Sequence, residues 1–268
     1  MHRNEWENFV ENLCSLSLQE SWDNSGWQIF LPDKENDRKN RSFRRILTAL
    51  EINRDVIEEA KQLQVDLIVT HHPLIFGKLS SVDYSLTAGE YVIRLIQSGI
   101  SVYSCHTCFD AADGGNNDIL GEILGFQEIR KISSDNPYLR RGEWPVGITL
   151  EEAARLLGER LDMNPEEFHI VGDRKKSVKS ACWCTGSGSE FIHDAEHISV
   201  DLYITGDVKY HDAQEALATG LSVIDAGHYG TEKIFSNAMA EKIRQYDWND
   251  KNRPEVFVSS VAMDPFSC

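Results

Sequence analysis

The residues best suited to chemistry begin with two adjacent histidines, His71 and His72, in the stretch Asp66-Leu-Ile-Val-Thr-His-His-Pro73. Leu67 to Val69 read as a buried strand. Pro73 cannot extend a sheet ladder, so the chain leaves the strand there. Two imidazoles thus stand at the carboxyl end of a strand, where open α/β sheets place their ligands. Neighbours at a strand end point in different directions, so the pair suits two ions, one each, better than a single ion. The plainer alternative is two loop histidines bonded to backbone. Two more strand ends carry candidates: His106-Thr-Cys-Phe-Asp110 and Gly227-His-Tyr-Gly-Thr-Glu232. His228 and Glu232 lie at i and i+4 at a helix start and can face one point. A carboxylate can bridge two divalent ions and a neutral imidazole cannot. Asp110 and Glu232 are therefore the natural bridges, with His71, His72 and His228 as terminal ligands. Such ions sit about 3.5–4 Å apart and activate a water between them. Taken singly, Asp110 and Glu232 also suit an N-cap and a first-turn acid beside a helix dipole. Their occurrence with histidines at three strand ends favours metal. His106, Asp207 and His211 are polar enough to orient the ligands, touch a substrate or move protons.

Other patterns carry less. Cys105-His-Thr-Cys108 has half of a zinc knuckle's spacing, with Cys182-Trp-Cys184 as a conceivable second half. The cysteines fall in or just after strands, which predicts core thiols instead. Gly186-Ser-Gly188 could approach a phosphate, but a plain turn after a strand explains it, as a turn explains Asp113-Gly-Gly-Asn.

The elements that must position these residues follow from periodicity. Helical faces run over Glu5–Leu16, Asp55–Gln64, Thr87–Ser98 (Tyr91, Val92, Leu95 and Ile96 inward) and Asp118–Leu124, the last capped by Asn or Asp. Helices also follow over 190–198, 207–218 and 231–246, with Ile234, Ala238, Ile243 and Tyr246 inward on the last. Thr149 and Glu152 form a capping box. Strands are predicted at 43–52, 66–70, 101–104, 178–184, 201–205, 222–225 and 255–261, with a short one after the turn Glu20-Ser-Trp-Asp-Asn-Ser-Gly26. Asp33–Arg41 reads as a charged loop, and 129–147 as irregular and polar.

Sliding the chain by 135 residues lays Ser42-Phe-Arg-Arg-Ile over Ser177-Val-Lys-Ser-Ala and Val65-Asp66-Leu67 over Val200-Asp201-Leu202. Each copy reads strand, helix, strand, a βαβ unit of about 30 residues. Each is followed by a third strand stretch that closes on a histidine, Gly99–His106 and Gly220–His228. The expected fold is α/β: two similar α/β domains from an internal duplication, with a dinuclear metal site in the cleft between them. The first would span 1–128, completed by the C-terminal strand 255–262, and the second 129–254.

With 268 residues and a formal charge of −16, the chain can bury a real core. Its acidity makes nucleic acid an unexpected partner and suits cation capture. The start is polar, and no apolar run approaches the roughly 20 residues of a membrane span. A cytoplasmic chain with reduced cysteines and no membrane association is expected.

These motifs together resemble the Nif-three-like dinuclear metal-centre family, also known as GTP cyclohydrolase I type-two homologues. The likeness runs through Glu20–Gly26, Asp66–Phe76, His106-Thr-x-x-Asp110-Ala-Ala-x-Gly-Gly-x-Asn117-Asp118, Gly186–Ser189, Asp201–His211 and Asp225–Glu232. Cys108, Phe109 and Gly230 depart from the family's usual residues, and none is a ligand. The resemblance implies two α/β domains with a metal pair between them, ligated by His71, His72, Asp110, His228 and Glu232. It also implies a toroidal homohexamer. The donor set suits zinc, iron, manganese or nickel. The function expected is metal-dependent hydrolysis of a nucleotide-like or cyclic amide substrate. The alternative is a regulatory or metal-storage assembly without turnover.

Overall fold

Runs such as Leu67-Ile-Val-Thr70 are apolar on both sides because both faces of their strands are covered. The computed structural model describes residues 1–33, 41–133, 135–248 and 252–266. The charged loop expected at 33–41 falls mostly on 34–40, outside the described residues, as does Cys268.

The chain opens with α1 (Arg3–Cys14), β1 (Gly26–Ile29), β2 (Arg45–Ala49), α2 (Arg54–Gln62) and β3 (Leu67–Thr70). It continues through α3 (Thr87–Gln97), β4 (Ser101–Ser104), α4 (Thr107–Ala111) and α5 (Asn116–Ile123). Next come β5 (Gln127–Lys131), β6 (Arg140–Thr149), α6 (Leu150–Leu161), β7 (His169–Val171), β8 (Ser177–Ser187) and α7 (Ile192–His197). The last elements are β9 (Leu202–Gly206), α8 (Tyr210–Thr219), β10 (Ser222–Asp225), α9 (His228–Glu232), α10 (Ile234–Gln245) and β11 (Glu255–Val258). The fold is mixed α/β with two sheets, ordered β1-β4-β3-β2-β11 and β5-β6-β8-β9-β10-β7. No helix among the described residues is long and apolar enough to cross a membrane.

Two compact units divide the chain: 1–112 with 235–263, and 113–234 with 264–268. In the first, β2, β3 and β4 run parallel, β1 pairs antiparallel with β4, and β11 lies parallel beside β2. Leu47, Ile57, Ile68, Leu95 and Val102 fill its core. Asn53 caps α2 by accepting the Val56 N–H at 2.8 Å. In the second, β8, β9 and β10 run parallel, β7 pairs antiparallel with β10, and β6 antiparallel with β8. Trp183 anchors this core, stacked on Phe126 at 4.5 Å between ring centres. A Cβ on Gly121 would fall 2.3 Å from the Trp183 ring, so α5 can lie this close only through a glycine. The indole also donates to the Asn117 carbonyl at 2.7 Å, which ties α5 to this unit.

Several expectations need correction. Residues 129–147 are mostly strand, not irregular: β5 and β6 form one end of the second sheet. Pro145 sits where the β6–β8 register shifts between Glu143 and Ile148, so a ladder survives a residue that donates nothing. The helix expected over 231–246 is two, α9 and α10. The buried face of α10 is Phe235, Met239 and Ile243, with Ala238 half-buried, and Tyr246, just past its end, half-buried against Phe9 and Trp248. Ile96 faces solvent, because α3 buries Gly89, Val92 and Leu95. The N-cap of α5 is Gly115, without a side-chain bond. Asp118 instead accepts the Gly114 N–H at 2.6 Å and pairs with the fully buried Arg140. The capping box does form: Thr149 Oγ1 accepts the Glu152 N–H and Glu152 Oε2 the Thr149 N–H, at 3.2 and 2.8 Å.

Candidate metal centre

In the first unit the pair His71-His72 is fixed through its backbone. Both N–H groups donate to the Leu50 carbonyl just beyond β2, at 3.0 and 2.9 Å. The His71 ring is fully buried and packs on Phe235, 5.0 Å between ring centres. Its Nδ1 lies 2.9 Å from the Cys105 carbonyl. That oxygen can only accept, so Nδ1 carries a proton and Nε2 is the nitrogen whose lone pair the neutral ring can offer. Nε2 points toward Asp110, 3.4 Å from Oδ2. Asp110 stands on the single-turn helix α4, where the chain turns after β4.

His106, the N-cap residue of α4, is oriented the same way. Its Nδ1 lies 2.9 Å from Asp23 Oδ1. The Asp23 carboxylate also accepts from Thr107 N–H and hydroxyl and from Ser25. Burial alone would push the Asp23 carboxyl up. The hydrogen bonds from His106 and Thr107 outweigh it and hold the group well below the usual carboxylate range. An ionised Asp23 leaves Nε2 of His106 as the outward nitrogen. His71, His72 and His106 each offer one ring nitrogen, and these atoms all lie within 4.8 Å of one another. The third imidazole thus joins the cluster itself, where the sequence suggested only a supporting role.

The second unit presents His228 and Glu232 on α9. Glu232 Oε2 lies 3.0 Å from His228 Nε2, and Asp207 Oδ2 lies 2.7 Å from Nδ1. Burial would lower the His228 pKa, but hydrogen bonds and charge from Glu232 and Asp207 override it, and the imidazole is pushed up to about 9. Two carboxylates around one imidazole make a cation-seeking site. Asp207 adopts φ +56, the left-handed region uncommon outside glycine. The helix expected from 207 starts only at Tyr210, which leaves Asp207 in the turn where it meets His228. His211 is exposed on α8 and joins no cluster of metal-competent atoms among the described residues.

Gly186 is the residue sequence reasoning missed. At φ +68 it lies against the pair, and a Cβ there would fall 2.0 Å from Glu232 Oε1 and 3.4 Å from His228 Nε2. Its N–H donates to the Thr231 hydroxyl at 2.9 Å. The glycine near the end of β8 therefore seats α9. Its bare spacing in Gly186-Ser-Gly188 was the one available signal, and it reads equally well as an ordinary turn.

The donors are imidazole and carboxylate, a set that fits divalent transition metals. Cys14, Cys105, Cys108 and Cys182 are buried free thiols, and no cysteine enters a metal-competent cluster among the described residues.

The chain is similar to known proteins over its whole length. The family model described as Duf34/NIF3 (NGG1p interacting factor 3) matches residues 1–265. A GTP cyclohydrolase 1 type 2 homolog of Clostridium perfringens is 33% identical over 271 residues, covering 99% of this chain and 99% of the relative. Its namesake in Clostridium acetobutylicum is also 33% identical, covering 97% of this chain and 96% of its own. Among solved structures, a Bacillus cereus protein related to NIF3 matches with a TM-score of 0.86 at 21% identity, over 100% of this chain and 99% of that one.

Proposed function

Because the chain belongs to the Duf34/NIF3 family, we propose that it binds two divalent metal ions and hydrolyses a nucleotide-like or cyclic amide substrate. The observation that carries this reading is shared by three imidazoles. His71, His106 and His228 each engage Nδ1 with a fixed oxygen, from Cys105, Asp23 and Asp207. Each ring is thereby held in a preset orientation, as metal-ligating histidines are, and in His228 the second nitrogen already meets Glu232. In this proposal His71, His72 and His228 are terminal ligands and Asp110 and Glu232 bridge. Zinc, iron, manganese or nickel would satisfy such donors. Bound ions would lower the pKa of a water and polarise the electrophile. His106, held through Nδ1 by Asp23, would carry a proton at Nε2.

The ligands would come from both halves of a duplicated α/β chain and meet in a cleft between them. The repeat is supported by matching details. Ile46 opposes Leu67 in the first sheet and Ala181 opposes Leu202 in the second, each pair 135 residues from its counterpart. Asp66 Oδ2 accepts the N–H groups of Arg44 and Arg45, and Asp201 Oδ2 those of Lys179 and Ser180. Each third parallel strand runs into a five-residue helix, α4 or α9, bearing candidate ligands. A toroidal homohexamer acting in the cytoplasm belongs to the same proposal.

The test is hydrolysis of a panel of nucleotides and cyclic amides by metal-reconstituted protein beside Glu232→Ala and His72→Ala. A metal-dependent activity lost in both variants is expected. Turnover that persists in metal-free protein would overturn the role of the metal, and no turnover of any member of the panel would overturn the hydrolytic reading.

A further inference from the structure

Two large aromatic rings stand in solvent beside the His71–His72–His106 cluster. Trp22 is 57% exposed and Phe76 68%. Their ring centres lie 6.0 Å apart, with planes inclined by 47°. Both approach His106, at 5.9 and 6.1 Å, and present to it at 72° and 71°. His106 in turn lies 5.6 Å from His72 and 5.1 Å from His71. One imidazole thus separates an aromatic corner from the candidate ligands.

The corner is preformed. Asn24 Nδ2 donates to the Ile75 carbonyl at 2.7 Å, and the Ile75 N–H donates to Gln28 Oε1 at 3.0 Å. Gln28 Nε2 donates back to the Asn24 carbonyl at 2.6 Å. These bonds stitch the Trp22 turn to the loop that carries Phe76. Neighbouring exposed rings on braced backbone gain nothing from the fold's own core, and such surfaces mark ligand sites.

We propose that Trp22 and Phe76 form a stacking corner for a flat heteroaromatic ring, such as a nucleobase, whose polar edge turns toward His106 and the neighbouring histidines. The inclination of 47° makes the pair a corner and not a parallel slot. A planar ligand that lies face-on to one ring is tilted by the same 47° to the other, so it stacks on one face while the second ring walls it in. An aliphatic ligand would use the apolar faces but give the imidazoles nothing to meet. A heterocycle answers both, with carbon faces for stacking and ring nitrogens or carbonyls at its edge. The inference rests on the hydrolytic reading above and adds to it the residues that select the substrate's ring.

Calorimetric titration of the manganese-reconstituted full chain with guanosine 5′-monophosphate and with ribose 5-phosphate tests it. The base-bearing ligand should bind more tightly. Trp22→Ala and Phe76→Ala should each weaken it by about tenfold or more, as loss of a stacking partner does. The sugar phosphate should be unaffected, and Trp22→Phe should recover most of the loss. Trp22 is the one strongly exposed tryptophan, since Trp6, Trp144, Trp183 and Trp248 are buried and Trp27 is half-buried. Its fluorescence should therefore be quenched by the nucleotide and not by the sugar phosphate. Metal-loaded protein that binds both ligands equally, or alanine variants that leave their ratio unchanged, would overturn the corner. So would variants that change only the oligomeric mass, which would make the pair a contact between copies. A chain that takes up no metal yet prefers the base would overturn the metal reading alone.

Discussion

Ring nitrogens of three histidines are committed before any ion arrives, and the groups that commit them are open to test. Asp23 holds His106 and Asp207 holds His228. Substituting Asp23→Asn or Asp207→Asn keeps the shape but removes the carboxylate that fixes the tautomer. Asp207→Asn, behind a proposed ligand, should weaken metal binding by about 10–100-fold in a competition titration, whereas Asp23→Asn, behind the proton carrier, should lower turnover. Unchanged metal affinity in Asp207→Asn would break the link between orientation and binding. Gly186→Ala places a methyl 2.0 Å from Glu232 Oε1 at φ +68. It should lower the metal content and reduce stability by about 1–3 kcal/mol. Cys105 and Cys108 are fully buried, so the double serine variant should lose stability but keep its metal. The adjacent histidines were legible because an apolar strand and a proline bracket them. The partnership of Asp23 with His106 was not, since the residues lie 83 apart in sequence and only the fold joins them. The same holds for Gly186 and Glu232.

Among the elements, the parallel strands were legible because burial on both faces leaves an unbroken apolar run, as in Leu67–Thr70 and Leu202–Thr205. β5 and β6 were not. They lie toward the end of a sheet, half their residues are polar, and Pro145 breaks the pattern at the bulge. The α9–α10 break also stayed hidden, because the apolar spacing runs on through Lys233 while the backbone turns to seat Glu232. Asp66 and Asp201 play one role in two places, each receiving two backbone N–H groups where a strand begins. Replacing either by Ala should cost about 1–3 kcal/mol in urea unfolding. Burial raises the Asp201 pKa, but the Ser180 and Lys179 N–H groups outweigh it, and the net shift is downward. A carboxyl with a depressed folded pKa stabilises above its unfolded value of about 3.9, and that gain is lost as pH falls through the folded pKa. Asp201→Ala should therefore flatten the acid side of the stability profile. An unaltered profile would remove Asp201 from the account.

At the scale of the whole molecule, the proposal makes metal affinity and folding one equilibrium. An ion that binds only the folded chain raises the unfolding midpoint with the logarithm of its free concentration once that exceeds the Kd. The net charge of −16 should make that gain larger at low ionic strength. If His71, His72 and Asp110 share their ions with His228 and Glu232, Glu232→Ala should lose most of the metal-induced rise in melting temperature. A rise equal to that of the wild type would separate the two ligand sets. The most direct measurement counts metal: elemental analysis per chain after reconstitution with manganese or zinc and removal of unbound ion. The dinuclear account predicts about two ions per chain, falling in His72→Ala and Glu232→Ala. A wild-type chain that retains at most one ion under saturating metal would contradict it.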